Sequence, residues 1–485
     1  MAIASIRLNI LSGLRWQILA KLGSQIISWS VTIFVMRLLL PADYGLMAMA
    51  MVLVGFTSLV AEMGLGAALV RSTQIDLAQQ RSVFGLSLMV NSALFLFLAC
   101  AAPLAVAVFH EPRLLALTLI MGLQLPIGAL SVVPDSMAKR DMQFKALGVI
   151  ELLVQVSTAA TTLAGALLGL GVWALVAGQF AQTLVKCTLL TWHFGTVAPS
   201  FKLQGQARLV AFGGSLTANR VVWYLWSQAD LFIAGRLLGP QLLGIYSVAA
   251  NLANMPMQKV MAISNQVAFS AFAKLQGDRT AMSSALLRAL RVVLALSVGL
   301  LWSLAGVAPE LVPLLLGGKW SAAVLPLQIL SAIVPLRIMT STLSTALIAA
   351  GHVNDDLKNT VMAAILLIPG FYAGAHFGGM TGLALAWLIC YPIFSVILIR
   401  QAAARFGLTM TSVLHQLLNP AISGAAMLAA IAIVRAVLTG QPPPMILLCV
   451  GLAGAASYIL TLWLCDRQLL QDFKELVAPS ASISS

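Results

Sequence analysis

Long apolar runs recur from one end of this chain to the other, and they restrict its fold more than any other feature. They lie near 16–39, 44–69, 83–109, 114–134, 146–169, 172–194, 211–237, 243–269, 288–308, 324–350, 358–376, 380–400, 412–437 and 445–465. A run of roughly 20 residues crosses about 30 Å of hydrocarbon as a helix. Inside hydrocarbon the backbone must satisfy its own N–H and C=O groups, so runs of this length read as transmembrane helices. The 485 residues are 60% hydrophobic and 9% charged, too apolar for soluble domains of ordinary size. The predicted fold is an all-α polytopic membrane protein with about 14 spans.

Charge sets the orientation. With the N-terminus in the cytoplasm, most of the 28 Lys and Arg residues fall on inner loops and inner helix ends. Arg37, Arg113, Arg236, Lys319 and Arg435 are left outside. The positive-inside rule selects this arrangement, with both termini cytoplasmic. The net charge of +13 is spread over short inner segments and forms no single stripe, which argues against a nucleic-acid partner. The opening "MAIASIRLNILSGLRWQ" lacks an apolar core followed by a small-residue cleavage site, so the first helix is expected to stay.

Nothing in the sequence points to an enzyme. The five cysteines lie singly in apolar spans and the five histidines singly at helix ends, without metal-ligand spacing. No phosphate loop, nucleophile elbow or H-E-x-x-H is present, and no loop is long enough for a catalytic domain. A membrane polysaccharide polymerase or ligase would need a large outer loop carrying Arg or His. No cofactor is expected.

One corner is written twice. "MRLLLPADYG" returns as "GRLLGPQLLG", and Arg37, Pro41 and Gly45 recur 199 residues later as Arg236, Pro240 and Gly244. The words fall where helix one meets helix two and where helix seven meets helix eight. Six helices separate them, an even number, so the repeat is parallel, about an axis along the membrane normal. The reading is two six-helix lobes, 1–205 and 206–405, two appended helices over 406–466, and a cytoplasmic tail, 467–485.

The same shift lays Lys21 on Arg220. A basic residue at a helix centre facing lipid costs on the order of 2.5–3.5 kcal/mol, so its repetition points to use. Lys21, Ser24, Gln25, Ser28 and Thr32 form a polar stripe on helix one. Helix seven carries Arg220, Trp223, Tyr224, Ser227, Gln228 and Asp230; helix eight carries Asn251, Asn254, Gln258 and Asn265, interrupted by Pro256. Helix ten carries Arg337, Thr340, Ser341, Ser344 and Thr345. These faces are expected to converge on a water-filled cavity between the lobes. The competing reading makes the Ser, Thr and Asn positions helix-packing contacts. Lys21 also lies near enough to the inner surface to snorkel. Asp230 is a candidate for charge pairing or for taking up a proton or Na⁺, and Glu62 for an interface near the inner end of helix two.

Three stretches resemble a known family. "LLLPADYGLMAMAMVLVGFTSLVAEMGLGAALVR" is similar to the first hairpin of Wzx-type polysaccharide flippases, members of the multidrug/oligosaccharidyl-lipid/polysaccharide transporter superfamily. "SQADLFIAGRLLGPQLLGIYSVA" resembles their helix-seven corner, and "LVPLLLGGKWSAAVLPLQIL" their tenth helix. The likeness runs over about residues 10–400, nearest to the colanic-acid-exporter-like branch. It implies paired helical bundles in the bacterial inner membrane that move an undecaprenyl-diphosphate-linked oligosaccharide to the periplasmic leaflet. It also implies cavity cations, a role for which Lys21, Arg220 and Arg337 are the candidates here. Gln25, Tyr224, Gln228, Asn251 and Asn254 would then offer hydrogen bonds to sugar hydroxyls. The expected working form is a monomer, functionally associated with glycosyltransferases and a polymerase. The rival readings within the superfamily are a Na⁺- or H⁺-coupled small-molecule antiporter and a lipid II flippase.

Overall fold

The computed structural model describes residues 27–61, 76–201, 221–274 and 278–466, with isolated positions 23, 25, 66, 69 and 469. Among these the regular elements are all helical. They are α1 (Ile27–Leu38), α2 (Pro41–Ala61), α3 (Leu77–Phe109), a bent α4 (Arg113–Ala129 and Val132–Arg140, 45° apart), α5 (Phe144–Leu167) and α6 (Val172–Phe194). There follow α7 (Ala229–Lys274, with helical residues 221–227 ahead of it), α8 (Arg279–Leu316), α9 (Val324–Ala349), α10 (Val353–Phe406), α11 (Met410–Val437) and α12 (Pro443–Cys465). Nine helical segments among the described residues are long and apolar enough to cross a membrane, or ten if the bent pair is one span.

Local chemistry fixes several helix ends. Asp76 caps α3 by accepting from the Gln79 N–H at 2.7 Å, and Asp278 caps α8 by accepting from Thr280 and Ala281. Thr409 does the same for α11 through the Ser412 N–H. Two of the longest helices contain a glycine break. Gly239 in α7 has φ 76° and Gly379 in α10 has φ 57°, conformations open to glycine and costly for residues with a Cβ. Pro240 directly follows the first break, and Pro41 opens α2, the position where a missing N–H costs least.

Packing divides the chain into two units, Met1–Gly244 and Ile245–Ser485. In the first, α5 and α6 form a hairpin whose small residues let the backbones approach: Gly165 lies against Ala174, and Gly178 against Thr162. Val35 of α1 and Leu39 just after it bury against Ala166 and Ala174 of that hairpin.

The same unit holds both copies of the repeated corner, and they interlock. A side chain at Gly45 would run into the carbonyl of Pro240; one at Gly244 would run into the carbonyl of Pro41. Each glycine therefore leaves room for the other copy's proline. The seam continues along α2, where Gly235 packs on Met49 and Phe109, and where Tyr224 lies over Gly55. The Tyr224 hydroxyl donates to the carbonyl oxygen of Val52 at 3.0 Å, and lies 3.3 Å from that of Met51. From Pro41 to Gly55 the seam runs about 20 Å along the helix axis.

In the second unit, α11 and α12 lie beyond the repeat in sequence yet share a core with α8. Val298, Met427, Ile431, Val450 and Tyr458 form one buried cluster, and the Tyr458 hydroxyl donates to the Ala295 carbonyl at 2.6 Å. Gly299 and Gly424 of these helices accept the rings of Tyr458 and Trp302. Within α10, Gly374 and Gly382 face each other across the Gly379 break, each facing the other's carbonyl.

Replacing Gly45 or Gly244 with Leu is expected to lower the melting temperature of the purified protein, overpacking of this kind costing about 1–3 kcal/mol. Gly128→Ala is the control, because a methyl there meets nothing within 4 Å; it should leave melting unchanged or raise it. Equal melting of all three variants would dismiss the interlocked corner as a source of stability. Tyr224→Phe keeps the ring and removes the hydroxyl, and is expected to cost about 0.5–1.5 kcal/mol in the same assay.

Candidate functional site

The sequence-predicted polar residues separate into three groups. Lys21, Arg220 and Glu62 lie outside the described residues. Gln25, Tyr224, Gln228 and Asp230 belong to the first unit. Asn251, Asn254 and Arg337 belong to the second, where the structure brings the last two together.

In the first unit Tyr224 is committed to α2 by the contacts just given. Gln228 sits half-buried at the turn between residues 221–227 and α7; its N–H donates to the Tyr224 carbonyl, and its own carbonyl accepts from Phe232. Asp230 is buried, and its Oδ1 accepts from the Leu231 N–H at 2.8 Å. Trp223 is half exposed.

In the second unit the polar stripe of α9 is mostly consumed by packing. The Thr340 hydroxyl shares a 2.7 Å hydrogen bond with Tyr391, the Ser344 hydroxyl donates to Asp356, and the Thr345 hydroxyl donates back to the Ser341 carbonyl. These positions follow the packing reading.

Arg337 is different. It lies midway along the 26-residue α9, half-buried, two residues after Pro335. Its Nη1 donates to Asn254 Oδ1 at 3.2 Å, and its guanidinium carbon sits 4.3 Å from the centroid of the Trp387 ring. Among the described residues that is its one hydrogen bond, and no carboxylate lies within ion-pair distance. Other arginines of this unit are matched with acids. Arg435 donates to both carboxylate oxygens of Glu310 at 2.6 and 2.9 Å, and Arg405 pairs with Asp355 at 2.7 Å. Those charges are neutralised within the fold, whereas Arg337 has no acid beside it among the described residues.

An aromatic wall stands behind it. Trp387 is 1% exposed, and its indole N–H donates to the Tyr246 hydroxyl at 3.1 Å. The Phe371 ring lies 4.7 Å from that of Trp387, and the Tyr391 ring 5.7 Å from it. A prolyl residue lies within two positions of a cluster member on each of three helices: Pro256 by Asn254, Pro335 by Arg337, and Pro392 by Tyr391. Each removes one intrahelical N–H and leaves the carbonyl four residues earlier without that bond, which adds acceptors for hydroxyl groups. The arrangement can hold an anion at the guanidinium and hydroxyls beside it. It contains no nucleophile paired with a base.

Sequence reading missed Trp387, Tyr246 and Tyr391. The usable signal was the spacing of Trp387 and Tyr391, four apart on one helix face and well inside a span. Aromatic residues with polar tips gather at membrane interfaces, so a pair at depth marks a polar neighbour.

Comparison with known proteins identifies the family. The profile of the polysaccharide biosynthesis protein family matches residues 34–325. The lipopolysaccharide biosynthesis protein WzxC of Escherichia coli (strain K12) is 25% identical over 409 residues, covering 81% of this chain and 80% of its own. The teichuronic acid biosynthesis protein TuaB of Bacillus subtilis (strain 168) is 26% identical over 350 residues, covering 70% and 71%. Among solved structures, the lipid II flippase MurJ in an inward closed conformation superposes with a TM-score of 0.72 at 14% identity, over 93% of this chain and all of that one, a likeness of fold. With the family profile matched over more than half its length, the chain belongs to the polysaccharide biosynthesis protein family, as its resemblance to the Wzx-type transporters implies.

Proposed function

We propose that the protein is a flippase that carries an undecaprenyl-diphosphate-linked oligosaccharide from the cytoplasmic to the periplasmic leaflet of the bacterial inner membrane. The observation that carries this reading is Arg337, a guanidinium in the middle of a membrane helix with no carboxylate partner among the described residues. A buried charge is expensive unless matched, and a phosphate supplies the match. Arg is suited to it by its planar fork of donors. The polyprenyl tail remains in lipid while the charged head passes, and alternating access moves the head across.

The named relatives support the class of cargo. WzxC and TuaB are named for the synthesis of lipopolysaccharide and teichuronic acid, polymers built outside the membrane from lipid-linked units in this proposal. Breaking α7 at Gly239 and α10 at Gly379 supports 14 spans, with lobes 1–205 and 206–405 related by the repeat, helices over 406–466 added after it, and a tail at 467–485. Both termini are cytoplasmic by the distribution of Lys and Arg. The working form is a monomer that receives its cargo from glycosyltransferases and passes it to a polymerase.

Within this scheme Lys21, Arg220 and Arg337 bind the diphosphate, and Gln25, Tyr224, Gln228, Asn251 and Asn254 contact sugars. Asp230 and Glu62 pair charges or couple an ion.

Arg337→Ala should abolish polysaccharide export in cells while membrane abundance stays near that of the wild type. Export at the wild-type rate would remove the phosphate-binding role. Asp230→Asn separates its two roles: loss of abundance marks a structural pair, and altered Na⁺ or pH dependence at normal abundance marks coupling.

A further inference from the structure

Arg337 is held by two neutral groups, and their geometry determines which part of it remains available. Nη1 is tied to Asn254 Oδ1, and the guanidinium carbon lies over the Trp387 ring. The Nε and Nη2 hydrogens form the opposite edge, the pair of parallel donors that can grip two oxygens of one phosphate. Trp387 is itself fixed, by its N–H to the Tyr246 hydroxyl and by the Phe371 ring, and both it and Tyr246 are almost fully buried.

We infer that Trp387, braced by Tyr246, and Asn254 are positioning residues that present the Nε/Nη2 edge of Arg337 to a phosphate group of the ligand. This rests on the flippase reading and goes beyond it by assigning the orientation of the cation to Asn254 and to Trp387 and Tyr246, two residues no motif marked. The chemistry explains why the neighbours are neutral. A carboxylate at position 254 would hold the guanidinium more tightly but would cancel its charge and compete with the phosphate. An indole face lowers the cost of a partly desolvated cation and leaves that charge in place.

The test uses full-length protein in lipid nanodiscs and farnesyl diphosphate as the probe, with affinity measured by calorimetry and folding by thermal melting. Wild-type protein should bind the probe. Arg337→Lys keeps the charge and loses the fork, and should weaken binding about tenfold. Asn254→Asp should weaken it at least as much, and the loss should shrink when the pH is lowered enough to protonate the new carboxylate, a recovery that a packing defect would not give. Trp387→Leu should weaken binding about tenfold, with Trp387→Phe in between because a ring face is retained. If Trp387→Leu fails to fold, Asn254→Asp and Trp387→Phe decide the matter.

Wild-type affinity in the Asn254→Asp and Trp387→Phe variants, in a protein that does bind the probe, would overturn the positioning role and leave the flippase reading intact. Failure of the wild-type protein to bind the probe at all would overturn both.

Discussion

A guanidinium inside an apolar helix must be answered by charge, by water or by a polarisable face, because hydrocarbon offers it nothing. Three described arginines of the second unit are answered with acids: Arg435 with Glu310, Arg405 with Asp355, and Arg291 with Asp466 at 3.8 Å. Those pairs tie helices together. Arg337 has an indole and an amide instead. The difference is physical: an ion pair removes the charge from further use, while a ring face and a neutral oxygen make the charge tolerable and keep it. Much of what can be argued about this molecule's ligand follows from that choice.

Helices without a hydrophobic drive between them need close backbone approach and polar bonds to associate. The interlocked corner is one solution. Gly45 and Gly244 remove two side chains so that the carbonyls of Pro240 and Pro41 can enter, and the duplication makes the two contacts equivalent. Further along the seam the same economy appears differently, with Gly55 making room for the Tyr224 ring and the hydroxyl of that ring supplying the polar bond to α2. Tyr224, proposed above as a sugar contact, thereby also bonds one helix to another.

Apolar periodicity and turn chemistry made the helical class, the places of the breaks near 239 and 379, and the repeated corner legible, because each rests on a local rule. That the two corners touch was not legible: a repeat shows equivalence, and contact needs three-dimensional packing. Arg337 was legible as a charge out of place in α9. Its surroundings were not, because Tyr246 and Asn254 of α7 and Trp387 of α10 lie far from Arg337 in sequence, and Tyr246 and Trp387 look like ordinary apolar-run residues. The stripe of Thr340, Ser344 and Thr345 left two readings open and the contacts follow the packing one, since a hydroxyl in a membrane helix can be satisfied by a neighbouring helix or by its own carbonyls, and the sequence does not distinguish these from a wet face.

A retained positive charge also shapes how the membrane potential would act on transport. Over a complete cycle only the ligand's charge is moved, and an inside-negative potential favours outward passage of an anion by about 2.3 kcal/mol per charge per 100 mV. A fixed cation cannot change that total, because it returns to where it began. It changes how the total is divided. Paired with a phosphate, Arg337 reduces the net charge carried outward and so weakens the drive on the loaded step; left unpaired, it is pulled inward on the return. A carrier with an unneutralised cation at its binding site therefore shifts electrical work from moving the cargo to resetting the empty site. In the proposed cycle, an acid placed beside Arg337 would remove that division together with the phosphate affinity proposed for the site.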